Sequence, residues 1–270
     1  MQVKDLPVVM LAAGMSKRFN SEHRFTHKSL LQIDHENRIF DLILNGLIQN
    51  AISQVYILLG YKSKDFKQYL CSDKFFNIKN LHLNSILARD DYVKGPTYTL
   101  LSLLPEIDEN LNDFVIIPSD TFFHPSILEQ VLSYEFDQSQ NHCILFSVQL
   151  SDTSISQINQ DIEFSPNLIE ESSKLHNLLD KSTSPNIKEF YIPILILSRS
   201  FLEFINDPES RISGKIIHNL DKYYENTGKC HVIRLKYDLD IPPFLDIDTS
   251  HIYNTLIRVK KELLEPYKVK

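Results

Sequence analysis

Short apolar runs at 7–12, 54–60, 81–87, 114–118 and 142–150 constrain this chain more than any other feature. They are apolar throughout and do not alternate, which is the pattern of strands covered on both faces, as in a parallel sheet. Segments near 38–50, 63–70, 96–104 and 125–134 lie between them with apolar residues at helical spacing. Strands alternating with helices predict an α/β fold. The expected architecture is a three-layer α/β/α sandwich around a mostly parallel, Rossmann-like central sheet.

The pattern weakens from Ser151 to Pro185, where Ser, Asn and Asp predominate and long loops or small inserted strands are expected. Order returns at 189–197, followed by helices near 199–206 and 213–226. A strand at 230–235, a short strand at 244–247 and a closing helix from about Ser250 complete the reading. No internal repeat or low-complexity linker divides the 270 residues, so a single domain over 1–270 is expected. The tail at 250–264 would cap that domain or contribute to the interface of a homo-oligomer.

A net charge of -7 and a pI of about 5.8 leave no broad cationic surface for a nucleic-acid backbone. The expected ligand is a small molecule. The apolar stretch from Leu6 to Ala13 is too short for a membrane span and follows an acidic Asp5. Cys71, Cys143 and Cys230 form no C-x-x-C pair, so reduced, buried thiols in a cytoplasmic protein are expected.

The first apolar run ends in Leu11-Ala12-Ala13-Gly14-Met15-Ser16-Lys17-Arg18. Small residues after a strand let a ligand approach the backbone, whose N–H groups can hold phosphate oxygens. The following polar stretch leads to His27-Lys28-Ser29, placing the cations Arg18 and Lys28 in one loop, where a triphosphate would need them. Further on, Gly95 lies between a strand and a helix, and the helix can open at Pro96. The fourth run ends in Pro118-Ser119-Asp120-Thr121, a carboxylate at the edge where α/β sheets collect ligands. Asp246-Ile247-Asp248-Thr249-Ser250 ends the last short strand and opens the last helix.

Leu-Ala-Ala-Gly-x-Ser-x-Arg-Phe, followed by Lys-x-Leu-Leu, resembles the signature of the nucleotidyltransferases that make nucleotide-activated sugars and related alcohols. The resemblance implies a nucleotide-diphospho-sugar transferase fold and transfer of a nucleoside monophosphate from a nucleoside triphosphate to a sugar phosphate or similar acceptor. It assigns Leu11, Ala12, Ala13, Gly14, Gly95 and Ser119 to the nucleotide, and Arg18 and Lys28 to the departing pyrophosphate. Asp120 and Asp246 correspond to Mg²⁺ ligands. Asp248 is the alternative second ligand; otherwise it stands where it could accept the free N–H groups of the last helix, as could Thr249 or Ser250. Leu-Leu-Asp-Lys-Ser at 178–182 resembles the segment whose lysine holds the acceptor phosphate, which assigns Lys181 to the acceptor within a 150–215 region. Lys215 is a second acceptor-side candidate.

Ser16 stands where hexose-1-phosphate enzymes have a second glycine, so the base is left open. Two other readings stand beside this one. A glycosyltransferase of related fold would need Asp-x-Asp after the fourth strand, where this chain has Ser-Asp-Thr. A non-catalytic paralogue binding a nucleotide or sugar phosphate as a regulatory subunit would have no need of both metal ligands.

Overall fold

The computed structural model describes residues 1–19, 26–76, 78, 80–137, 142–161, 175, 178, 186–239, 241–259 and 264–265. Seven strands form the main sheet: β1 Val8–Ala12, β2 Gln54–Leu59, β3 His82–Leu87, β4 Asp113–Pro118, β6 Cys143–Ser151, β7 Ile187–Ser198 and β8 Cys230–Arg234. Their order is β3-β2-β1-β4-β7-β6-β8. β7 alone runs antiparallel to its neighbours β4 and β6; the other pairings are parallel. Two further strands, β5 Thr121–Phe123 and β9 Phe244–Asp246, form a small antiparallel sheet.

Successive residues of each strand feed two cores, which is why the runs are apolar without alternating. Val8, Met10 and Ala12 of β1 join one core with Val55, Ile57 and Leu59 of β2 and Val115 and Ile117 of β4. Val9, Leu58, Phe114 and Ile116 point to the other face. The first core is closed by helices α1 Ile39–Gln49, α2 Ser63–Leu70 and α5 Pro125–Ser133. The second is closed by α4 Pro96–Leu100, α7 Arg199–Asn206 and α8 Ile216–Thr227. The result is a three-layer α/β/α fold.

Helices α3 Asp73–Phe76 and α6 Asp152–Asp161 were not expected. The α6 helix replaces the loops or small strands expected after 150: Ser151 Oγ accepts the N–H of Ser154 at 3.0 Å, and Ile158 buries in the first core. With Ile155 and Ile158 as the two apolar residues of its sequence, α6 shows too little periodicity among Ser, Asn and Gln to be read as a helix. The closing helix α9 is short, Ser250–Asn254, and continues as a π-helical turn Thr255–Val259. Cys143 and Cys230 are buried register partners on β6 and β8, whereas Cys71 is exposed, against expectation. Among the described residues no helix is long and apolar enough to cross a membrane.

Candidate active site

Strand order reverses at β1, which lies between β2 and β4, and the loops after β1 and β4 open at the same sheet edge. Such a switch point leaves a crevice for a ligand. The loop after β1 is held on several sides. Leu11 O accepts from Ser119 N at 3.2 Å, Ala13 O from Tyr61 N at 3.4 Å, and Phe19 N donates to Ser16 O at 3.0 Å. Phe19, buried in the first core, pins the far end, and Ser16 takes the left-handed conformation at φ 51°. Ala12 and Ala13 are buried and Leu11 partly so, while Gly14 is exposed, so within this stretch the open backbone begins at Gly14.

His27 fixes the return of this loop. Its Nδ1 accepts from Ser29 N at 3.2 Å, which leaves Nε2–H to donate to Ala12 O at 2.9 Å. The ring stacks edge-on against Phe66, with centroids 5.1 Å apart. Burial, aided by the nearby Lys28 charge and only partly offset by the Ala12 hydrogen bond, lowers its pKa to about 4. Ser29 adds a hydroxyl contact of 2.7 Å to Ser119, and both residues are buried. The Ser119 side chain thus ties the Lys28 turn to the end of β4.

His27 yields a pH prediction. Its folded pKa lies below the unfolded value of 6.5, so the unfolded chain protonates first as pH falls. Stability present in full above pH 6.5 is lost down to about pH 4, by roughly 3 kcal/mol in all. Urea unfolding at pH 7 and 4.5 should show this loss in the wild type and a shallower one in His27→Gln.

The carboxylates arrive from two chain segments. Asp120 follows β4, and its carbonyl accepts from Ile247 N at 3.0 Å, while Thr121 pairs with Asp246 across β5 and β9. The Thr121 hydroxyl donates to Asp246 Oδ1 at 3.3 Å. Oxygens of Asp120, Asp246 and Asp248 all lie within 4.8 Å of one another. The Lys28 ammonium sits among them, bound to Asp120 Oδ2 and 3.0 Å from Asp248 Oδ1. Arg18 Nη2 reaches Asp248 Oδ2 at 2.5 Å from a side chain 68% exposed. Among the described residues the site holds three carboxylates against two cations. Accordingly, although one side of Asp246 is open, desolvation and then Asp248 push its pKa up to about 6, against the pull of Lys28, Thr121 and Arg18.

Asp248 does not cap the last helix: the Thr249 side chain accepts from Ile252 N at 3.2 Å, and Asp248 turns to the two cations. Asp120 caps no helix either, since His124 caps α5. The structure thus brings together Arg18, Lys28, Asp120 and Asp246, and adds Asp248 and Thr121. Lys181 lies outside the described residues.

Gly95 has a packing reason of its own. At φ 132°, a Cβ there would lie 2.6 Å from the Gly214 carbonyl, which also accepts from Thr97 N at 3.0 Å. Pro96 is the first residue of α4. Asn219, fully buried, secures the 212–215 loop: Oδ1 accepts from Ile212 N and Ser213 N, and Nδ2 donates to Thr97 Oγ1, Ser213 O and Lys215 O. Lys215 itself is exposed. Tyr92 of the Gly95 segment and Ala13 of the first loop both crowd Gly60, where an added Cβ would lie 2.8 Å from each. Gly95→Ala should destabilise the protein by about 1–3 kcal/mol through backbone strain alone, checked by urea unfolding.

No protein-family model matches the sequence, and no curated protein matches it. Solved structures do. One is a Bacillus anthracis protein assigned as a glucose-1-phosphate thymidylyltransferase and solved with sucrose; it is 16% identical, covers 95% of each chain and has a TM-score of 0.66. Another is the inositol-1-phosphate CTP transferase from T. maritima, 16% identical over 98% of each chain, with a TM-score of 0.64. The chain therefore has the α/β fold of nucleotidyltransferases.

Proposed function

We propose that this chain transfers a nucleoside monophosphate from a nucleoside triphosphate to a sugar phosphate or similar phosphorylated acceptor, with Mg²⁺, releasing pyrophosphate. The observation that carries the reading is the meeting of Asp120, Asp246 and Asp248 with Lys28 and Arg18 at the switch point of a nucleotidyltransferase fold. The activities for which the two structural neighbours are named agree with it.

The donor set fits a hard divalent cation, which takes carboxylate oxygens and completes its shell with phosphates and water. Asp120 and Asp246 would hold it, with Asp248 beside them. Bound there, Mg²⁺ would neutralise charge on the phosphates of the donor.

The acceptor's phosphate oxygen attacks the α-phosphorus in line; the new O–P bond forms as the bond to the β-phosphate oxygen breaks. Arg18 and Lys28 meet the charge that grows on the leaving pyrophosphate. The exposed backbone from Gly14 would lie along the triphosphate. Ser16 Oγ, shielded from solvent and without a hydrogen-bond partner among the described residues, is a further donor in that loop. A phosphate is already anionic at neutral pH, so no general base is needed. His27 is unsuited to be one, because both ring nitrogens are engaged and its pKa is low. Lys181 is assigned to the acceptor phosphate.

Thermal-shift assays with the common nucleoside triphosphates and Mg²⁺ would name the donor, since a ligand that binds the folded state raises apparent stability. Pyrophosphate release with a panel of sugar and polyol phosphates would then name the acceptor. A triphosphate that stabilises the protein but releases no pyrophosphate with any acceptor would favour a regulatory paralogue; no stabilisation by any triphosphate would overturn the reading.

A further inference from the structure

We infer that Lys28 is the resident cation of the three-carboxylate cluster in the ligand-free protein, and that a divalent metal enters only when a phosphate chain draws Lys28 away. The inference rests on the proposed reading of the cluster as a metal site. It adds that metal and triphosphate bind as a coupled pair, with Lys28 as the coupling residue.

The geometry leaves little room for another arrangement. The Lys28 ammonium bonds Asp120 Oδ2, one of the two proposed metal ligands, and lies 3.0 Å from Asp248 Oδ1 beside them, so it engages two of the three carboxylates of the cluster. Its side chain is only 14% exposed, and those of Asp120 and Asp248 are 9% and 22% exposed. Water screens charges so enclosed far less than it screens surface pairs. A divalent cation on the same oxygens would face the ammonium as a like charge within a few ångströms. Arg18 is a weaker obstacle, because its side chain is 68% exposed and it reaches Asp248 alone.

Lys28 can leave without disturbing the fold. The residues on either side are locked: His27 between Ala12 O and Ser29 N, and Ser29 against the Ser119 hydroxyl. The 3-10 turn Lys28–Leu30 is closed by Leu30 N on His27 O and Leu31 N on Lys28 O. Motion therefore falls to the side chain, whose stem runs beside Gly14, where even a Cβ would keep an ordinary 3.6 Å from Lys28 Cε. An exposed glycine at the start of the phosphate-facing loop leaves this stem free to swing toward an anion. Triphosphate supplies the anion that Lys28 needs once the carboxylates turn to the metal, so each ligand removes the obstacle to the other.

Mn²⁺ binding without nucleotide, followed by calorimetry and electron paramagnetic resonance, tests this on wild type, Lys28→Met and Lys28→Arg. The wild type and Lys28→Arg should bind Mn²⁺ weakly, and Lys28→Met at least 10-fold more tightly, with Asp120→Asn added to Lys28→Met cancelling the gain. Thermal shifts with tripolyphosphate give a second readout. In the wild type, Mg²⁺ and tripolyphosphate together should stabilise by more than the sum of their separate shifts. In Lys28→Met, or in Lys28→Gln if the first variant does not fold, Mg²⁺ alone should stabilise and the excess should vanish. Equal Mn²⁺ affinity in the wild type and Lys28→Met would overturn the coupling role while leaving the metal site intact. Absence of Mn²⁺ binding in every form, with tripolyphosphate or without, would overturn the metal site as well.

Discussion

Asp120→Asn should abolish pyrophosphate release while leaving the protein folded. The substitution keeps shape and volume but removes the charge a hard cation needs, because an amide oxygen carries only a partial charge. Metal stabilisation of phosphoryl charge amounts to several kcal/mol, so turnover should fall on the order of 10³-fold or more. The fold should tolerate the change because the residue's contact with the β9 segment runs through its backbone carbonyl, to Ile247 N. The Lys28 ammonium loses one enclosed carboxylate but keeps Asp248, so stability should fall by roughly 1–3 kcal/mol without unfolding the chain. Turnover within a few-fold of wild type in the folded variant would remove Asp120 from the chemistry.

The fold was largely legible in the sequence because its strands are buried on both faces. Residues such as Val8 and Val9, or Phe114 and Val115, serve opposite cores, so the chain shows runs of four or more apolar residues that little else explains. The strand β5 was not legible, since three residues directly after Asp120 carry no periodicity, yet its pairing with β9 brings Asp246 to Asp120. The α6 helix escaped for a similar reason: Ile155 and Ile158 are the two apolar residues of its sequence, too few to establish a helical period.

The site divides in the same way. Arg18, Lys28 and Asp120 could be singled out because each follows a strand or closes a loop with a distinctive pattern, whereas Asp246 was preferred to Asp248 on the family resemblance alone. The engagement of Asp248 with Lys28 joins positions 28 and 248, and no local spacing reports such a contact. Residue type misled there, because Asp and Thr are both good caps and Thr249 holds that place. His27 had no legible role, since the hydrogen bonds that define it come from Ala12 and Ser29 in the folded loop.

Asp246→Asn and Asp248→Asn should then part company. The Asp246 pKa, pushed up to about 6, lies above the ordinary carboxylate value of 3.8, so the folded protein resists ionising it. The sign follows from linkage: stability present in full below the unfolded value is lost as pH rises through the folded one. Above pH 6, in the absence of metal, Asp246→Asn should therefore raise stability. The gain should be about 1 kcal/mol, because solvent at the open side of the residue screens part of the repulsion, and it should vanish near pH 4. Turnover should nevertheless fall on the order of 10³-fold, because the variant gives up a ligand of the proposed metal. Asp248 differs in facing two cations, Arg18 and Lys28, so its neutralisation leaves both short of a partner. Asp248→Asn should lower stability by about 1 kcal/mol at neutral pH, mostly through Lys28, since the exposed Arg18 pair is well screened. Melting curves at pH 4 and 7.5, with chelator and with excess Mg²⁺, would separate the two. Added Mg²⁺ with tripolyphosphate should stabilise the wild type and fail to stabilise Asp246→Asn. Destabilisation by Asp246→Asn at pH 7.5 without metal would show that its carboxylate is held by the protein as a structural anion, and would move the second ligand to Asp248.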